Sequence, residues 1–209
     1  MRCPVETETR NTIPLWLAVA ITVCVSLPFG IWLDKYNLPL WAAFIVWAQY
    51  FAMGAKPSAL KTVIPAYILG VIGAALIMTA YMLVSTNAGA GTIFSVGDWK
   101  VTNDNVALIA ACLVGFCILI YAMKWMPVTL TGITPFFNGI SMLLGVFFTG
   151  AFLKPFGADL DPNWMPAAAA VDATLAGLLG GALGWFNVTI MFPRQVTPAS
   201  VVRQHPAGA

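Results

Sequence analysis

Long apolar runs, broken by short polar clusters, organise this chain. Charged side chains are missing from 11–33, 62–97, 105–123, 125–153 and 173–193. A helix needs about 20 apolar residues to cross a hydrocarbon core about 30 Å thick. The pattern therefore predicts six spans, over 13–33, 38–55, 62–84, 105–124, 127–151 and 166–191. Strands of a membrane barrel would alternate polar and apolar positions over about 10 residues, and these runs do not alternate. The expected class is all-α: a polytopic membrane protein with six transmembrane helices.

The runs also repeat. Ala66, Gly70, Gly73, Ala75 and Leu76 of the third span align without a gap on Ala173, Gly177, Gly180, Ala182 and Leu183 of the sixth. A fainter match joins the second span to the fifth, setting Gln49 opposite Asn138 and Met53 opposite Met142. The expected organisation is two three-helix repeats, 13–84 and 105–192, with a connection at 85–104 and tails at 1–12 and 193–209. An odd number of spans per repeat inverts the second half relative to the first, the arrangement from which many transporters are built.

Composition narrows the class further. Only 9% of the 209 residues are charged and 60% are hydrophobic, against about 25% charged in an average soluble domain. Mean hydropathy is +0.85. A soluble fold, a disordered segment and a nucleic-acid binder are excluded, and the net charge of +2 implies no polyanionic partner.

Loop charges set the orientation. With cytoplasmic termini, the inside holds Arg2, Arg10, Lys56, Lys61, Lys124, Arg194 and Arg203, and the outside holds Lys35, Lys100 and Lys154. That asymmetry follows the positive-inside rule and predicts a multi-pass protein of a bacterial inner membrane with a periplasmic 85–104 connection. The first apolar run is too long for a signal-peptide core, and no small-residue cleavage pattern follows it, so it is expected to stay attached. Trp16, Trp32, Trp99, Trp125 and Trp164 lie near span ends, where interfacial anchors sit.

Leu38-Pro39-Leu40-Trp41-Ala42-Ala43-Phe44, then Tyr50-Phe51-Ala52 and Leu60-Lys61 before a glycine-containing span, resemble the bacterial inner-membrane family called domain of unknown function 1097. Pro127, Thr129, Gly132 and Gly145 are similar to that family's second repeat. The likeness covers about residues 30–192 and implies a small multi-span inner-membrane protein, with no catalytic residues to transfer.

Candidate chemistry concentrates in the fifth span. Thr131, Thr134, Asn138, Ser141 and Gly145 recur at helical spacing around Pro135 and Gly139, which puts them on one stripe. Such a stripe is expected to face protein or water, because unsatisfied polar groups in lipid cost several kcal/mol. It reads either as the lining of a pathway or as hydrogen-bonding glue between helices. Gln49 is the strongly polar residue of the second span, and its carboxamide both donates and accepts. Trp47, Tyr50, Phe136 and Phe137 are expected to narrow the passage or stack on a planar solute. Gly70, Gly73, Gly177, Gly180 and Gly184 are expected to pack helices closely. Asp172 is an acid within or near the sixth span, either hydrated at its outer end or buried and coupled to an ion.

Cys24, Cys112 and Cys117 fall in spans, Cys3 and the single histidine, His205, in tails. No metal-ligand spacing, nucleotide loop or catalytic constellation occurs, so neither enzyme activity nor a cofactor is expected. The expected function is a channel or facilitative transporter for a small neutral or weakly charged polar solute. The alternatives are a non-transporting accessory subunit and a proton-coupled transporter using Asp172. A six-helix bundle with broad apolar outer faces is expected to form a homo-oligomer in its bilayer.

Overall fold

The computed structural model describes residues 8–88, 91–97, 99–150, 161–191 and 193–196, with the side chains of residues 8–10, 35, 88, 96, 99 and 193–196 outside that description. Arg2, Cys3, Asp98, Lys154, Asp159, Arg203 and His205 lie outside the described residues.

The chain is helical almost throughout. Among the described residues six apolar helices follow one another: α1 (Leu15–Ile31), α2 (Leu40–Ala52), α3 (Pro57–Ala88), α4 (Asn103–Ala122), a fifth broken into α5 (Pro127–Thr131) and α6 (Ile133–Thr149), and α7 (Met165–Ile190). Three stretches, Pro57–Asn87, Asn103–Trp125 and Pro162–Ile190, are long and apolar enough to cross a membrane; α1, α2 and α6 are shorter. Leu76, Ile109, Leu113, Ile118 and Leu175 stand exposed on the outside, the surface a lipid solvent accepts and water does not.

Boundaries differ from the hydropathy reading where backbone chemistry intervenes. The second apolar run was expected to extend over 38–55, yet α2 has 13 residues, about 20 Å at 1.5 Å per residue. Pro39 precedes its first turn, and Gly54 (φ 93°) and Ala55 (φ 53°) end it in the left-handed region. The Ala55 amide there donates to the Tyr50 carbonyl at 2.9 Å, and the Tyr50 hydroxyl donates to the Ala55 carbonyl at 3.0 Å. The third run grows instead, to 32 residues.

The fifth run, expected to be continuous over 127–151, is interrupted at Gly132 (φ −108°, ψ 47°). Pro135 has no N–H to give the Thr131 carbonyl and its ring crowds that turn. The chain steps aside there and restarts as α6, with Phe136 N–H donating to the Gly132 carbonyl at 3.0 Å.

Four elements make the core. α3 crosses α6 at Gly70 and Gly139, where a Cβ on either would collide with the other helix's backbone, at Phe136 and Tyr67 respectively. α7 crosses α2 in the same manner, Gly180 lying against the Ala43 carbonyl. Around these crossings Tyr67, Val71, Phe136, Leu143, Val146 and Ala176 are buried. α1 leans on α7 through Ala18, Thr22 and Ser26, its only buried residues. α4 leans on α3, where Leu119 fills the space beside Gly73 and Ile77 that beside Gly115.

Short strands mark the two ends. β1 (Glu8–Asn11) pairs antiparallel with β4 (Pro193–Val196), holding the start and finish of the helical region on one side. β2 (Thr92–Val96) and β3 (Trp99–Thr102) form a hairpin between α3 and α4, within the expected 85–104 connection. The Thr102 side chain and Asn105 then make a reciprocal cap at the start of α4, satisfying helix-end amides that otherwise lack partners.

Candidate functional site

Gln49 sits on α2 one turn from its end, facing the seam between α2 and α6. The two helices run side by side in opposite directions. Trp41 meets Gly145 near one end, where a Cβ on Gly145 would stand 2.7 Å from Trp41 Cη2. Near the other end the seam opens into a groove of about 170 Å³ lined by Gln49, Ala52, Met53, Thr131, Ile133, Thr134 and Pro135. The helix break at Gly132 makes this opening, because displacing α5 from α6 withdraws the turn that would otherwise fill it. Lys56 lies just past α2 on the same side, so the groove is near the lysine-bearing end of α2.

Gln49 is 6% exposed, and neither Oε1 nor Nε2 has a hydrogen-bond partner. Burying an amide without partners costs roughly 1–3 kcal/mol. Thr131 and Thr134 supply hydroxyls to the opposite wall. The Thr131 hydroxyl donates to the Pro127 and Val128 carbonyls at 3.1 and 3.2 Å and keeps its lone pairs available to accept. No lining residue carries an ionisable group.

The remaining stripe lies differently from the expectation that it faces the interior. Thr131, Thr134 and Ser141 are exposed on the outside of the chain, and Asn138 and Gly145 are half-buried along the seam. Ser141 donates to the Phe137 carbonyl at 3.0 Å, an internal bond that lets a hydroxyl face lipid without an orphaned donor. The interior face of α6 is instead Phe136, Gly139, Ile140, Leu143 and Val146, dry and close-packed. Asn138 is not among the groove's lining residues.

The aromatic residues expected at the passage do other work. Trp47 packs edge-on to Phe44, with ring centroids 5.8 Å apart, in a cluster with Ala43 and Leu183. Tyr50 turns toward α7, its ring against Gly184. Phe137 is 42% exposed on the outer face. α2 presents Ala43, Trp47 and Tyr50 to α7, so these side chains cannot also reach the seam with α6.

Each glycine assigned to packing touches another helix: Gly70 meets α6, Gly73 α4, Gly177 the Tyr67 ring, Gly180 α2 and Gly184 the Tyr50 ring. Asp172 is 1% exposed, which places it inside the protein and not at a hydrated helix end. A pair that sequence reading did not foresee ties α1 to α7. Asn187 Nδ2 donates to Thr22 Oγ1 at 2.9 Å, and Thr22 Oγ1 donates to the Ala18 carbonyl at 2.8 Å. The available signal was a single amide in one apolar run and a hydroxyl in another.

Among the described residues, no cluster of three or more metal-ligating side chains occurs. A larger cavity, about 440 Å³, is an apolar groove between α3 and α4 lined by residues such as Leu76, Ile77, Val114 and Ile118. It opens on the outer face of the bundle and has no polar group to orient a solute, so the smaller groove at Gln49 is the chemically competent one. No family model, curated protein or solved structure matches the chain.

Proposed function

We propose that this chain is an inner-membrane facilitative transporter for a small neutral polar solute, built from two inverted three-helix halves. One observation carries the reading: Gln49 keeps two unpartnered amide atoms beneath a groove opened by a helix break. A protein gains no stability from such an arrangement, and a solute in the groove would supply the missing partners.

The packing supports the inverted halves. The third helix of each half crosses the middle helix of the other, α3 on α6 and α7 on α2, at glycine–backbone contacts. The first helix of each half leans on the third helix of the other, α1 on α7 and α4 on α3. Exchanging the halves maps this set of contacts onto itself and puts the exchange axis through the α2–α6 seam.

A carrier fits better than an open channel. The groove opens at the inner end, while Trp41 against Gly145 closes the outer end of the seam. Alternating access requires one open and one closed end, exchanged by rocking of the halves. A second copy seated on α6 would shield Phe137 and Ser141 from lipid, in keeping with a homo-oligomer.

Purified protein in liposomes, assayed for solute flux by stopped-flow light scattering, tests the proposal. Gln49→Ala is expected to abolish flux while the protein elutes unchanged from a sizing column. Lost assembly, without any flux by the parent protein, would instead identify a docking subunit, the reading that the outward face of Phe137 and Ser141 favours. Asp172, buried in α7, is where an ion-coupled variant of the mechanism would act. In that case Asp172→Asn removes dependence on a proton gradient, whereas a passive carrier retains its flux.

A further inference from the structure

We infer that the Gln49 groove selects solutes carrying a primary carboxamide or urea group, recognised by two hydrogen bonds to the Gln49 side chain. This rests on the transport reading above and adds the chemical class of what is carried.

The terminal amide of glutamine is planar and presents an acceptor and a donor side by side. On Gln49 both are buried and unpartnered, so the complementary ligand offers a donor and an acceptor in that same flat, adjacent arrangement. A carboxamide or urea does so: its carbonyl accepts from Nε2–H, and its N–H donates to Oε1. A polyol also donates and accepts, but its hydroxyls stand on tetrahedral carbons and rotate freely, so its donor and acceptor are not held in one plane as an amide's are. A carboxylate or ammonium would enter a site without a counter-charge among its lining residues, at a desolvation cost of several kcal/mol. The broad terminal torsion of glutamine lets the amide turn from beneath the groove toward an arriving solute.

Size argues the same way. The groove's roughly 170 Å³ is well above the ~10–15 Å³ one water requires and well below the ~300–1,000 Å³ of drug-sized pockets. Thr134 on the facing wall supplies a further hydroxyl for the solute's outer edge, and the ring of Pro135 and the side chains of Ala52 and Met53 complete an apolar surround.

The test uses the full chain in liposomes with four probes: urea, acetamide, N,N-dimethylacetamide and glycerol. Binding is measured in parallel by calorimetry in detergent. Urea and acetamide are expected to bind and to permeate, and dimethylation, which removes the donor, is expected to weaken binding by about tenfold or more. Gln49→Met should reduce acetamide binding to the same degree. The ligand series uses only the parent protein, so it decides the matter even if the variant fails to fold. Glycerol flux without urea or acetamide flux overturns the inference and leaves the transporter reading standing. Acetamide binding that dimethylation weakens, with no flux of any probe, supports the site and overturns transport. Equal binding of acetamide and its dimethyl derivative, or no binding of either, overturns the inference.

Discussion

The phenol of Tyr67 on α3 donates a 2.9 Å hydrogen bond to the carbonyl of Ala173 on α7. These are the two helices that align as repeats, and Gly177 provides the slot in which the Tyr67 ring lies. The bond is fully buried, so losing it has no compensation from water. Tyr67→Phe is expected to lower stability by about 1–2 kcal/mol, read as a reduced thermal midpoint in detergent. Gly177→Ala places a methyl in the ring's position and is expected to cost more than Tyr67→Phe. The reverse order would show that the ring is not held as described.

At the α3–α6 crossing neither backbone has room for a side chain. Gly139→Leu is expected to force the helices apart and destabilise by about 3 kcal/mol or more, the upper range for overpacking. Gly70→Leu should do the same from the opposite helix. Near-native melting of either variant would contradict the crossing.

Thr22 and Asn187 depend on each other. Thr22→Val preserves shape but strips Asn187 Nδ2 of its acceptor in a site with no exposure. The expected cost is about 1–3 kcal/mol, and Thr22→Ser should retain most of the stability. In the double variant Thr22→Val, Asn187→Leu both polar groups are gone, and part of the loss is expected to return. Additive losses in that thermodynamic cycle would sink the pairing.

Ala55 holds φ 53° in the turn between α2 and α3. A residue with a Cβ loses about 1–2 kcal/mol in that conformation, whereas glycine adds about 0.4–1 kcal/mol of unfolded-state entropy. The first effect wins. Ala55→Gly is expected to raise stability by about 0.5–1 kcal/mol, seen as a modest increase in thermal midpoint, with flux unaffected.

Gln49 gives the opposite sign from most buried polar residues. Because its amide has no partner, Gln49→Leu removes a desolvation cost of roughly 1–3 kcal/mol and should melt higher than the parent in solute-free buffer. Its flux should be lost. A destabilised Gln49→Leu protein would mean that the amide is satisfied in the folded chain.

Hydropathy made the apolar helices legible because lipid and protein interior both reject charge, so a span shows as a long uncharged run however it packs. For the same reason it could not say which face of a span points inward. Phe136 and Phe137 are adjacent and chemically identical, yet one is buried and the other exposed. The stripe from Thr134 to Ser141 had a helical spacing, and its hydroxyls were read as needing the interior. Ser141 bonds within its own helix instead, a solution that spacing alone does not distinguish.

From its sequence alone, then, the chain determines that it is helical and apolar, and that small residues recur in its third and sixth spans. Charge distribution and backbone chemistry act locally and need no partner to be read. Only the tertiary structure decided that Gly70 and Gly139 meet, that Tyr50 and Trp47 turn to α7, and that Gln49 is left unpaired beside Thr131 and Thr134. Those outcomes depend on shape: in a bundle whose inside and outside are equally greasy, close approach at glycine, not polarity, chooses which surfaces join.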